Sequence, residues 1–168
     1  MVKQRAIYPG SFDPVTFGHL DLIERALSFF QELYVVVAVN PGKDSLFSLE
    51  ERLDMMKRAV KPFKRVRVES SAGLTVAYAR KRKAKILIRG LRATSDFDYE
   101  FQMALTNRKL AREIDTIFLM PSESYFYVSS RLIKEIAQHK GDVASYVPDF
   151  VRRKIHEKLF SRGGRRPQ

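Results

Sequence analysis

A chain of 168 residues, 45% of them hydrophobic, is long enough for one domain with a substantial core. It has no cysteine, which excludes a disulfide framework or a thiolate metal site, and no segment approaches the roughly 18 apolar residues of a membrane span. The formal charge of +12 raises nucleic-acid binding as a possibility, whereas the lack of an apolar run after a basic start leads us to expect a soluble, cytoplasmic protein.

Arg5 to Tyr8 reads as a strand that runs into Pro9-Gly10-Ser11-Phe12-Asp13-Pro14, and Gly18-His19 then heads a helix. A loop between a strand end and a helix N-terminus presents backbone N–H groups and a positive dipole end, which suit phosphate, and His19 adds an imidazole donor. The helix from His19 to Phe30 puts Leu20, Ile23, Leu27 and Phe30 on one face. Leu33 to Val39 is a continuous β-branched run, as in a strand buried on both faces of a parallel sheet. Lys43 follows in a loop opposite the first one, as a candidate anion contact.

Ser48 and Glu51 have the spacing of a capping box, predicting a helix to about Val60. Arg65 to Glu69 reads as a strand, Leu74 to Lys83 as a helix and Lys85 to Ile88 as a strand. Directly after it, Arg89-Gly90-Leu91-Arg92 sets two planar, bidentate donors three residues apart, which suits phosphate; Gly90 between them suggests a backbone that approaches a ligand. A helix from Ser95 or Asp96 to about Ala111 and a strand from Thr116 to Met120 follow. Ser129 or Ser130 caps a helix to Gln138, and this pair of hydroxyls after an aromatic run offers a second phosphate cradle. Pro148 opens a last helix to about Phe160.

Five βα units predict an α/β fold, a single domain over residues 1–160 with a doubly wound five-stranded parallel sheet and C-terminal helices. Residues 161–168 read as a basic, disordered tail. The loops carrying Ser11, Lys43, Arg89 to Arg92 and Pro121 to Arg131 all fall at the carboxyl ends of strands, where ligands of such sheets bind. The remaining basic residues, clustered at 80–85 and 152–166, read as solvated helix faces. A nucleic-acid role would leave the Gly18-His19 loop without a purpose.

Thr16-x-Gly18-His19 has the spacing of the T/HxGH motif of the nucleotidyltransferase superfamily. With YPGSFDPVTFGH, the Lys43 loop and Phe47 to Arg52, LIRGLRATSDFDYE, Phe118 to Pro121 and VSSRLIKE, the chain resembles the bacterial phosphopantetheine adenylyltransferases over nearly its whole length. The resemblance implies transfer of AMP from ATP to 4′-phosphopantetheine, with Mg²⁺ carried by the ATP phosphates, a homohexameric assembly and inhibition by coenzyme A.

It further implies that His19 stabilises the transition state at the α-phosphate. Ser11, Lys43 and Arg89 would hold the phosphate of phosphopantetheine, with Thr75 near its arm. ATP would be bound by Ser11, Phe12, His19, Gly90, Leu91, Arg92, Glu100, Tyr125, Phe126, Tyr127, Val128, Ser129, Ser130 and Arg131. Rival readings inside the superfamily are an adenylyltransferase acting on nicotinate mononucleotide and a cytidylyltransferase acting on a phosphorylated alcohol.

Overall fold

The computed structural model describes residues 4–39, 44–92 and 94–161. In chain order it contains β1 (Arg5–Gly10), α1 (Phe17–Phe29), β2 (Glu32–Val39), α2 (Leu49–Ala59), β3 (Val66–Ala72), α3 (Thr75–Lys81), β4 (Ile86–Gly90), α4 (Thr94–Leu110), β5 (Asp115–Leu119), a 3₁₀ turn (Glu123–Tyr125), α5 (Ser130–Gln138) and α6 (Asp149–Phe160). All pairings are parallel, in the order β3-β2-β1-β4-β5. The chain leaves β1 toward β2 first and returns to its other side with β4. The topological switch point, and with it the ligand crevice, therefore lies at the carboxyl ends of β1 and β4.

Side chains alternate between two packed faces, because successive residues of a strand point to opposite sides. Ala6 and Tyr8 of β1 and Leu33, Val35 and Val37 of β2 face α1, α2, α5 and α6, where Ile23, Met55, Met56, Ile133 and Ile155 are fully buried. Ile7, Tyr34, Val36 and Leu87 face the other way, against Val76 and Ala79 of α3 and Ala111 and Ile114 beyond α4. Burial on both faces explains why β2 reads as an unbroken apolar run.

Several boundaries move from their sequence-based positions, each for a local reason. Strand β1 runs to Gly10, since pairing with β2 continues as far as Gly10 beside Val37. Helix α1 begins at Phe17, with Thr16 rather than Gly18 at its head, because the Thr16 side chain accepts from the His19 N–H. Strand β4 continues through Arg89 and Gly90, paired with Phe118 and Leu119, so the two residues expected in a loop are ladder residues. Ser48 and Glu51 form the capping box on α2 as expected, with Ser48 N–H donating to Glu51 Oε2 at 2.7 Å.

The basic clusters are laced with acids. Arg80 pairs with Glu113, Arg82 with Glu69, Arg152 and Arg153 with Asp149, Lys154 with Asp54 and Lys158 with Glu51. Helix α4 differs from the others. Phe97, Tyr99, Phe101, Met103, Leu105 and Leu110 are all exposed along it, and Glu100 is buried.

Candidate active site

At the switch point, residues from β1, α1, β4, α4 and the segment after β5 line a cleft of about 390 Å³. Its floor is the turn after β1. Phe12 there has φ +48°, in the left-handed region that a bulky side chain rarely occupies, and its ring is 1% exposed. That ring packs edge-on to Tyr8 and to the His19 imidazole, with centroids 5.4 and 5.0 Å apart respectively. The strained turn thus turns an aromatic wall toward the histidine.

His19 is the third residue of α1, and its position follows from the helix cap. The Thr16 backbone N–H donates to His19 Nδ1 at 3.0 Å, while the Thr16 side chain accepts from the His19 N–H. An Nδ1 that accepts a hydrogen bond carries no proton, so the neutral ring holds its proton on Nε2. Burial, reinforced by the charge of Arg92, pushes the imidazole down to about 3. Near neutral pH His19 is therefore an uncharged Nε2–H donor that lines the cleft.

Arg89, near the end of β4, lines the same cleft. Burial works against its charge, but the hydrogen bond and charge of Glu100, with Tyr8, raise its pKa above the usual arginine value. Arg89 Nε donates to Glu100 Oε2 at 2.7 Å and Nη2 to Oε1 at 2.5 Å, in a bidentate pair, and Nη1 donates to the Pro9 carbonyl at 2.9 Å. The guanidinium is thus held in one orientation, with two of its five N–H groups left for a ligand. Tyr8, buried beside the pair, has its phenol pushed well above its ordinary pKa, chiefly by burial. Arg92 Nη1 reaches the Val128 carbonyl at 3.4 Å, linking this wall to the segment after β5.

The opposite rim is built by the start of α5. Ser129 is the N-cap and accepts from Leu132 N–H, which leaves its hydroxyl proton free for an anion. Ser130 Oγ donates to the Pro14 carbonyl at 2.7 Å, so its proton ties α5 to the first loop and only its lone pairs remain. Asp13 reinforces that tie. It is 4% exposed and accepts from Leu46 N–H and Phe47 N–H, each at 2.9 Å, and from Lys134 Nζ at 2.8 Å. One carboxylate thereby joins the first loop, the entry to α2 and α5.

Of the residues singled out in the sequence, Ser11, Phe12, His19, Arg89, Gly90, Arg92, Glu100, Tyr125, Val128, Ser129, Ser130 and Arg131 line this cleft. Leu91, Phe126 and Tyr127 do not, the last two standing exposed on the surface. Thr75 is the first residue of α3 and lies outside the lining. Lys43 falls outside the described residues. Gly90 has a packing constraint beside its place in the lining, since a Cβ there would stand 2.5 Å from Leu22 Cδ1 of α1. Sequence reasoning missed Asp13 and Lys134 as a linked pair, 121 residues apart, and no local pattern marks them. It also missed the tautomer that Thr16 imposes, although the motif contains both residues.

Among the described residues no three His, Asp or Glu side chains gather as a metal-ligand set. The cleft lining sets Arg89, Arg92 and Arg131 against one carboxylate, Glu100, so its field favours anions. A larger cleft, about 590 Å³, lies between α5 and α6 and is lined by Lys140, Arg152, His156 and Phe160 among others. It holds none of the residues singled out above, and its Arg152 is paired with Asp149.

The cytidylyltransferase-like family profile matches residues 7–136. A phosphopantetheine adenylyltransferase of Desulfosudis oleivorans is 52% identical over 154 residues, covering 92% of each chain. Its counterpart in Thermotoga neapolitana is 51% identical over 92% of this chain and 96% of its own. That of Syntrophus aciditrophicus is 51% identical over 96% of this chain and 99% of its own. Among solved structures, a Vibrio parahaemolyticus protein provisionally described as a nicotinate-nucleotide adenylyltransferase superposes with a TM-score of 0.68 over 92% of this chain and 99% of its own. At 17% identity that likeness concerns the fold alone.

Proposed function

The chain belongs to the cytidylyltransferase-like family and, within it, to the phosphopantetheine adenylyltransferases, and on that premise we propose that the cleft transfers AMP from ATP to 4′-phosphopantetheine. A phosphate oxygen of phosphopantetheine attacks the α-phosphorus in line. The new P–O bond forms as the bond to the β-phosphate bridging oxygen breaks, and pyrophosphate leaves with that electron pair. Dephospho-coenzyme A is the other product, and the reaction runs in reverse by the same path.

The nucleophile is already an anion, so the site needs no general base. What it needs is positioning and charge stabilisation at the α-phosphate. The observation that carries this reading is His19, which is uncharged, oriented by Thr16 and left with Nε2–H toward the cleft. A neutral donor there stabilises the charge growing on the α-phosphate oxygens. Ser11, Lys43 and the two spare N–H groups of Arg89 receive the phosphate of phosphopantetheine, with Thr75 toward its arm. Phe12, Gly90, Leu91, Arg92, Glu100 and the segment from Tyr125 to Arg131 serve ATP. Mg²⁺ arrives with the triphosphate, liganded by phosphate oxygens and water.

The same reading makes the protein a cytoplasmic homohexamer whose cleft coenzyme A occupies as an inhibitor. The apolar residues exposed along α4 support self-association, since a surface of that kind is seldom left in water. Light scattering at six chain masses is the expected result; a monomer at working concentration contradicts it.

The function is tested by pyrophosphate release from ATP with a panel of acceptors. Release is expected with 4′-phosphopantetheine alone. Equal turnover with nicotinate mononucleotide, or with CTP and glycerol phosphate, overturns the assignment.

A further inference from the structure

Beneath the turn that carries Ser11 lies a cation that the proposed reaction has not yet used. Arg52, on α2, is 6% exposed. Its Nη1 donates to the Ser11 carbonyl at 2.9 Å and to the Ala38 carbonyl at 3.1 Å, and its Nε is buried without a partner. Among the described residues no carboxylate stands within ion-pair distance of it. Asp13, in the same loop, is committed to Lys134. A buried charge is normally paired, because removing it from water is costly. Here its contacts are two carbonyl dipoles at the carboxyl ends of neighbouring strands, where the crevice opens.

We propose that Arg52 is a positioning residue whose buried, uncompensated charge completes the phosphate site from below, its counter-ion being the phosphate of the substrate. Two consequences follow from its contacts. Drawing the Ser11 carbonyl inward holds the turn in the conformation that gives Phe12 its positive φ, and the N–H groups of Phe12 and Asp13 have no acceptor among the described residues. Holding the Ala38 carbonyl fixes the end of β2, from which the chain enters the Lys43 loop. The guanidinium thus ties the first loop to the end of β2, and its charge would lie on the far side of one peptide unit from a phosphate bound at the Ser11 turn. At a separation on the order of 7 Å and an effective dielectric near 20, one charge shifts the binding of a unit anion by roughly 50-fold.

The inference rests on the proposed function, so wild-type turnover with ATP and 4′-phosphopantetheine is measured alongside. Absence of that turnover counts against the function itself. Arg52→Lys keeps the charge and one carbonyl contact. Arg52→Gln keeps a donor for one carbonyl and removes the charge. We expect kcat/KM for 4′-phosphopantetheine within about fivefold of wild type for the lysine variant, and a loss on the order of 50-fold for glutamine. The rise in Tm on adding 4′-phosphopantetheine should be kept by lysine and lost by glutamine. Equal impairment of both variants, or a folded glutamine variant within about threefold of wild type, overturns the proposal. If the glutamine variant does not fold, the lysine variant decides alone: a loss on the order of 50-fold there overturns it.

Discussion

Replacing His19 by alanine separates two ways in which an imidazole could serve this site. A neutral Nε2–H donor and a cationic imidazolium would both stabilise the α-phosphate, but they differ in pH dependence. Loss of one well-placed donor to developing charge costs about 10²–10³ in kcat, or about 3–4 kcal/mol of transition-state stabilisation. The substitution also takes from the Thr16 N–H its acceptor, 3.0 Å away, and from Phe12 its edge contact. That adds about 1 kcal/mol of lost stability and a small fall in Tm. Burial and Arg92 hold the imidazole down to about 3, so it stays neutral from pH 5 to 9. The ratio of wild-type to His19→Ala kcat/KM, which reports the ligand-free protein, should therefore be constant over that range, measured by pyrophosphate release at subsaturating substrate with ATP affinity followed separately.

Stability, by contrast, should depend on pH. Between about 6.5 and 3 the unfolded chain binds a proton that the folded chain does not. Wild type accordingly loses stability as pH falls through that window, and the alanine variant loses less. A kcat/KM ratio that changes several-fold with an inflection near 6.5 would refute the neutral-donor account, as would near-normal turnover by the variant.

Other substitutions probe the walls of the cleft. Glu100→Gln should weaken the hold on Arg89, raising KM for 4′-phosphopantetheine more than it lowers kcat; an unchanged KM would detach the pair from that substrate. Asp13→Ala breaks contacts to Leu46, Phe47 and Lys134 and should cost about 3 kcal/mol in urea unfolding, with Asp13→Asn recovering part of it. Equal stability of Asp13→Ala and wild type would show that the junction is not held there. Gly90→Ala must displace Leu22 and should lower stability by about 1–3 kcal/mol, whereas Gly18→Ala meets nothing closer than 3.6 Å and should keep its Tm. If Gly18→Ala also loses turnover, its cost lies in the approach of substrate; a fall in its Tm would contradict the packing described.

Much of the fold is legible in the chain because a parallel sheet buried on both faces leaves unmistakable traces. The run from Leu33 to Val39 and the Ser48–Glu51 capping box mark their elements without help from tertiary structure. The crevice could be located as well, since loops at the carboxyl ends of strands follow from βα alternation. What stays hidden is anything decided by which charge meets which. Arg89 reads in sequence as a loop arginine, yet it is clamped by Glu100 across two elements. Strand β4 extends through Arg89 and Gly90 by pairing with Phe118 and Leu119 of β5, a partner the local sequence does not reveal. Gly90 reads as a ligand-facing glycine, and what the sequence hides is that Leu22, a residue 68 positions earlier by number, also limits the space there. Asp13 looks like a loop residue, and its role depends on Lys134, which only the packing of α5 brings near.

The most direct test follows ³¹P NMR of wild-type protein with equimolar MgATP and 4′-phosphopantetheine. Adenylyl transfer predicts that the phosphomonoester signal of phosphopantetheine falls as a pyrophosphate-diester signal and free pyrophosphate rise together. Formation of ADP and orthophosphate, or a phosphomonoester signal that persists unchanged while ATP is consumed, would contradict it.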